Sequence, residues 1–273
     1  MTQLSRGSFS LYFEALGSGG PPVLFIQGCG VGAGGWQPQT NVLAANYRVA
    51  AFDNRGYGRS GASNDISVRS MTDDAVALMD ELGWDSAHVV GHSLGGVIAQ
   101  QLALDLPNRV RSLSLLCTFV RGRDGAKVSA WMLWKAICQR VGSRASRRRA
   151  FLDMVMPPSA APSQRSDEFA VELGKLFGRD LADQPAIILK QVRALGAHDA
   201  SRELGRLGPI PTLVVSASLD RVAPVAQGRA LAKAIPGARY EEIADAAHGV
   251  TIQRASDVNA LLTAHFDAAE RHA

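Results

Sequence analysis

Apolar residues follow two different periods along this chain, and the places where the period changes outline its elements. Ser10–Leu16 alternates polar and apolar, the two-residue period of a half-buried strand. Val23–Gln27 is a buried-type run closed by Gly28, and Arg48–Phe52 is a third run, ended by the turn sequence Asp53-Asn54-Arg55-Gly56. From Ser67 to Leu82 the period lengthens: Val68, Met71, Ala75, Leu78, Met79 and Leu82 share one helix face, with serine at the N-cap and Gly83 after the end. Ala87–Val90 then reads as a strand running into Gly91-His92-Ser93-Leu94-Gly95-Gly96, followed by a helix Leu94–Leu106 stopped by Pro107 and a strand Arg111–Cys117. The pattern resumes with a strand Thr212–Ala217, a helix Ala226–Ile235, a strand Arg239–Ile243 and a helix Ile252–Ala269. Strands alternating with helices predict an α/β fold with a mostly parallel, doubly wound sheet covered on both faces.

Residues 119–185 break this rhythm. Helical patterns at Trp131–Val141, Arg147–Met156 and Phe169–Phe177 have no strand between them, and Pro157-Pro158 and Pro162 interrupt the segment. The spacing predicts a helical insertion over 119–185, with the α/β core formed by 1–118 and 186–273. No repeat of 20–50 residues occurs, which excludes solenoids and arrays.

The chain has 273 residues, 47% hydrophobic and 20% charged, enough apolar side chain for a buried core and too much for a chain disordered as a whole. No run comes near the roughly 18 consecutive apolar residues of a membrane span, so no membrane partner is expected. The first residues, Met-Thr-Gln-Leu-Ser-Arg-Gly-Ser, lack the apolar stretch of a signal peptide. Cys29, Cys117 and Cys138 form an odd set without CxxC spacing, which predicts reduced thiols and a cytoplasmic location. The net charge of +4 is concentrated: residues 119–185 hold 12 lysines and arginines against 7 acids. With no nucleic-acid-reading motif beside it, this surplus predicts a solvated helical face and no nucleic-acid partner.

Gly91-His92-Ser93-Leu94-Gly95 is G-x-S-x-G at a predicted strand-to-helix turn. A serine hydroxyl is a poor nucleophile and must project freely toward a base from a tight turn. Chain passing close by leaves no room for side chains two residues either side, hence the glycines. The Leu94 N–H faces the same point, and the N-terminus of the helix favours developing negative charge. An acid and then a histidine are expected later in the chain. Asp220 stands just past Thr212–Ala217 and His248 just past Arg239–Ile243, both at C-terminal ends of strands. His248 would take the Ser93 proton, and Asp220 would fix the imidazole tautomer. Some proteins with a similar motif place the acid after the preceding strand, a resemblance that makes Asp124 the rival. The remaining histidines have structural readings: His88 starts a strand, His92 flanks the serine, His198 lies in a helix-ending turn, and His265 and His272 lie in or after the last helix. The backbone N–H of Cys29 in Gln27-Gly28-Cys29-Gly30 is the candidate second oxyanion donor; a thiol nucleophile there would lack an elbow and a base. The glycine-rich run Gly28–Gly35 lacks the registers of phosphate cradles, so no cofactor and no metal are expected.

These landmarks together resemble the α/β-hydrolase superfamily over nearly the whole chain. Gly28-Cys29 resembles its oxyanion loop, Phe52–Ser60 the turn after its fourth strand, Gly91–Gly96 its nucleophile elbow, and His198-Asp199, Pro211-Thr212 and Asp220 to Pro224 its later landmarks. His248 matches its base, and residues 119–185 match its lid. Gln27 departs from the histidine usual before that glycine. Serine at position 93 separates the chain from the branches that use aspartate there. The resemblance implies an acyl-enzyme and a small-molecule substrate, a carboxylic ester or lactone, and leaves homo-oligomers open. The loop Gly28–Trp36 also resembles that of carbon–carbon bond hydrolases of ring-cleavage products, although Val31 and Gly249 depart from their pattern. A cofactor-free perhydrolase and a ligand sensor that retains its triad are further alternatives. Trp131 and Trp134, three apart on one helix face, are expected to line the acyl pocket together with Met132 and Phe151.

Overall fold

The computed structural model describes residues 3–125 and 129–271, so His272 and part of the expected insertion lie outside the described residues. The apolar runs form β1 (Gln3–Ser5), β2 (Ser10–Leu16), β3 (Pro22–Ile26), β4 (Arg48–Phe52), β5 (Ala87–His92), β6 (Val110–Leu116), β7 (Thr212–Ala217) and β8 (Arg239–Ile243). They make one sheet in the order β1-β2-β4-β3-β5-β6-β7-β8. β2 pairs antiparallel with both β1 and β4, and β3 through β8 run parallel. The continuous apolar runs are the central strands: every residue of β3, β5 and β7 is buried, as expected of strands covered on both faces.

The winding places the site. From β3 the chain crosses through α1 (Gln37–Leu43) to β4 on one side, then through α2 (Val68–Glu81) to β5 on the other side of β3. Right-handed crossovers in opposite directions put α1 and α2 on opposite faces. α3 (Leu94–Asp105) packs on α2. The reversal beside β3 opens a crevice where Gln27–Gly30 and His92-Ser93 leave the C-terminal ends of neighbouring strands, paired in register as Ile26 with Gly91.

Between β6 and β7 lie α4 (Gly122–Gly125), α5 (Ala130–Cys138), α6 (Arg144–Val155), α7 (Asp167–Phe177) and α8 (Ala186–Ala197), with no strand among the described residues. Ser129, Ser143 and Ser166 start three of these helices by accepting a hydrogen bond from the backbone N–H three residues on. Phe151, Leu152, Met156, Ala170, Leu173, Phe177 and Leu181 form a small apolar core of their own. The basic surplus of this segment is answered locally: Arg148 reaches Asp180 and Asp167, Arg144 reaches Asp180 and Asp183, and Arg149 and Arg165 reach Asp153.

After β7, α9 (Val225–Ala234) covers β7 and β8, and the C-terminal helical stretch is two pieces, α10 (Val250–Gln253) and α11 (Ala255–Glu270). Arg254, with φ −122° and ψ 43°, breaks what the apolar spacing predicts as one helix. α11 packs on α1 and β6. Among the described residues no helix is long and apolar enough to cross a membrane.

Candidate active site

β5 ends at His92 and α3 begins at Leu94, so Ser93 is the single residue of the turn. Its φ of 55° and ψ of −119° lie outside the helical and extended regions, a conformation that costs a non-glycine residue about 1–3 kcal/mol. Hydrogen bonds impose it. Ser93 N–H donates to the Leu116 carbonyl at 3.0 Å, and the Ser93 carbonyl accepts from Gly96 N–H at 3.0 Å and Thr118 Oγ1 at 2.7 Å. The flanking glycines are required by space: a Cβ on Gly91 would strike the Gly95 carbonyl, and one on Gly95 would strike the Ile26 carbonyl. Leu94 follows as the first residue of α3, where N–H groups lack intrahelical partners.

Asp220 and His248 come from the loops after β7 and β8. Asp220 Oδ1 accepts from the N–H groups of Val222 at 2.7 Å and Ala223 at 2.8 Å, which locks the carboxylate, and Oδ2 lies 2.8 Å from His248 Nδ1. Both residues are buried. Their loops are tied together by Ser218 N–H on the Ile243 carbonyl and Leu219 N–H on the Ala246 carbonyl. Asp124, by contrast, pairs with Arg121 at 2.9 Å.

Two polar side chains that the motif search passes over hold the strand ends together. Gln27 Oε1 accepts from Gly28 N–H at 2.8 Å, bracing the loop that carries Cys29, and the Gln27 carbonyl accepts from Asn54 Nδ2 at 3.0 Å. His92 places Nε2 2.9 Å from the His248 carbonyl and Nδ1 3.2 Å from Gln27 Oε1. Burial first, and then the neighbouring His248, push its pKa down to about 3, so it is neutral. A neutral imidazole has one N–H; it serves the His248 carbonyl while Gly28 serves Gln27. Their signal in the sequence was position alone, one residue before Gly28 and one before Ser93.

Ser93, His248, Cys29 and His92 open on one cavity of about 260 Å³. Its walls are chiefly apolar, with Phe119, Met132, Phe151, Phe177, Ile188 and Val192 among them. The pocket role expected of Trp131 and Trp134 is corrected here. Trp134 is 61% exposed, and Trp131 lies under the Arg221 guanidinium, 4.8 Å from its ring centre, in a separate cleft. α5 is apolar around most of its circumference, so spacing alone does not choose the inward face; that face carries Met132 and Ala136. α8 contributes Ile188, Val192 and Leu195, so the cavity wall continues past residue 185.

His92, Cys117 and His248 bring potential ligand atoms within 4.8 Å of one another. Of these, His248 Nδ1 faces Asp220 Oδ2 and His92 Nε2 faces the His248 carbonyl, and burial pushes the Cys117 thiol well up. Burial also pushes the Cys29 thiol up to about 12, which leaves it protonated and poorly nucleophilic near neutral pH.

A family model of the alpha/beta hydrolase fold matches residues 21–137. A protein of Azorhizobium caulinodans provisionally named carbamate hydrolase RutD is 35% identical over 247 residues, 89% of each chain. The chain belongs to the α/β-hydrolase family. The enol-lactonase of Burkholderia xenovorans superposes on this hydrolase with a TM-score of 0.79 at 26% identity, covering 97% of this chain and 99% of that one. The meta-cleavage product hydrolase of Pseudomonas fluorescens superposes with a TM-score of 0.80 at 25% identity, covering 96% and 95%.

The buried histidines make the stability of this hydrolase pH-dependent. Burial holds His88 down to about 4, His92 to about 3 and His265 to about 4, against 6.5 for a free imidazole. Between those values the unfolded chain binds more protons than the folded one, so stability is lost as pH falls from about 6.5 toward 4. Each group contributes about 1.4 kcal/mol per pH unit in that window. Thermal unfolding should show Tm falling steeply over that range; a Tm that holds between pH 7 and pH 5 contradicts these burials.

Proposed function

We propose that this hydrolase cleaves a small carboxylic ester or lactone through an acyl-enzyme. One observation carries the reading: Ser93 and His248 share the apolar cavity, with the Asp220 carboxylate 2.8 Å from His248 Nδ1. The Asp220–Nδ1 contact keeps the proton on Nδ1 and leaves Nε2 as base. His248 takes the Ser93 proton as Oγ attacks the acyl carbon, and returns it to the leaving oxygen. The N–H groups of Cys29 and Leu94 receive the oxyanion, the first braced through Gly28 and Gln27. Water then enters, deprotonated by His248, and frees the acid. The helices of 119–185, extended by α8, act as a lid that keeps the cavity apolar. Two of the three names reported above agree in kind, since a lactone and a carbamate each hold an acyl carbon bonded to a heteroatom.

The test is turnover of 4-nitrophenyl butyrate and of a simple lactone. Expected is a burst of nitrophenol of no more than one equivalent, followed by many turnovers. A single turnover with a persistent adduct would instead indicate a sensor, and no reaction with either compound would overturn the ester and lactone reading.

A further inference from the structure

One charged side chain stands on the wall of the apolar cavity without an ion pair of its own among the described residues. α7 ends on Gly178, whose φ of 77° turns the chain out of the helix, and the next residue, Arg179, lines the cavity. Its guanidinium carbon lies 5.1 Å from the Phe151 ring centre. Nε donates to the Gly30 carbonyl at 3.3 Å, and Nη1 to the carbonyls of Asp180 at 3.2 Å and Asp183 at 2.7 Å. Those acceptors are all main-chain; the Tyr57 side chain and the charges of Asp183 and Asp180 also favour the cation, without an ion pair being formed. The nearby Asp180 carboxylate is occupied by Arg148 at 2.5 Å, Arg144 at 2.7 Å and Ala182 N–H at 2.8 Å. Among the described residues, Arg179 forms no ion pair within 4 Å, unlike Arg144, Arg148, Arg149 and Arg165.

Burial acts against this charge and lowers its pKa, yet an arginine stays protonated at neutral pH. A cation partly removed from water, with only neutral acceptors, is costly until a carboxylate reaches it. Gly30 is held from α8 as well: Gln191 Oε1 accepts from Gly30 N–H at 2.9 Å, while its buried Nε2 has no hydrogen-bond partner among the described residues.

We propose that Arg179 receives a carboxylate carried by the substrate, so that the ester or lactone cleaved here bears an anionic group on an apolar chain. This rests on the hydrolase reading of Ser93 and His248 above. Arg144, Arg148 and Arg149 of α6 already hold carboxylate partners, and Arg147 does not line the cavity.

The test compares mono(4-nitrophenyl) adipate with 4-nitrophenyl hexanoate, which differ by one terminal carboxylate. A charge-assisted pair in this setting corresponds to about a 10- to 100-fold preference in kcat/KM. Wild type should prefer the adipate by that factor, Arg179→Met should abolish the preference, and Arg179→Lys should keep part of it. If Arg179 only pins Gly30, both esters lose rate together and the preference is unchanged, which overturns the proposal. So does a wild type that treats the two esters alike. Should neither ester turn over at Ser93, the hydrolase reading has failed, and calorimetry with Ser93→Ala decides the subsite separately. Monomethyl adipate should bind more tightly than methyl hexanoate, and the difference should vanish with Arg179→Met added; equal binding overturns the subsite.

Discussion

Ser93→Ala should lower kcat on 4-nitrophenyl butyrate on the order of 10⁴- to 10⁶-fold, the range found where a nucleophile that acts as one unit with its base is removed. The fold should survive. Alanine occupies φ 55° no more easily than serine does, and the three hydrogen bonds that fix the turn all involve the backbone of residue 93. Circular dichroism and Tm close to wild type, together with loss of the burst, are the expected pair of results. A variant that keeps its rate would mean that Ser93 sits on a strained turn for structural reasons only.

Asp220→Asn should cost on the order of 10⁴-fold in kcat while changing KM little. The amide can still accept from Val222 and Ala223 at Oδ1, so the loop keeps its shape. On the Oδ2 side an amide N–H2 now faces His248 Nδ1, which stabilises the tautomer with its proton on Nε2 and leaves no lone pair for the Ser93 hydroxyl. The imidazolium formed during attack also loses its counter-charge. Asp124→Asn provides the contrast. That carboxylate holds Arg121 on the approach to α4, so its loss should leave kcat within a few-fold of wild type. The opposite ranking of the two variants would move the acid from the end of β7 to the segment after β6.

The parts of the fold that were legible are those where burial writes a strong period. β2, β4, β7 and β8 have the limits that their runs predict: alternation marks β2, near-continuous burial marks β4 and β7, and β8 ends on the buried Ile243. β1 and α1 left no such mark. β1 has three residues with polar Gln3 and Ser5, and α1, Gln-Pro-Gln-Thr-Asn-Val-Leu, presents few apolar positions to the core. The G-x-S-x-G spacing pointed to its turn because steric exclusion at Gly91 and Gly95 admits only one residue type. The pocket was less legible. On α5 apolar residues face both the cavity and solvent, with Leu133, Trp134 and Ile137 exposed and Met132 turned inward, so periodicity gave no direction. Gln27, His92 and Arg179 act through partners 65 to 156 residues away, contacts that only the winding of the sheet creates.

In the proposed reaction Ser93 Oγ becomes covalently acylated. Acid quenching of a reaction with 4-nitrophenyl acetate during the burst, followed by intact-mass and peptide analysis, tests it directly. The account predicts one added acetyl group per chain, located on the peptide carrying Ser93 and absent from Ser93→Ala. Turnover that proceeds without any such adduct, or an acetyl group found on Cys29 in its place, would contradict it.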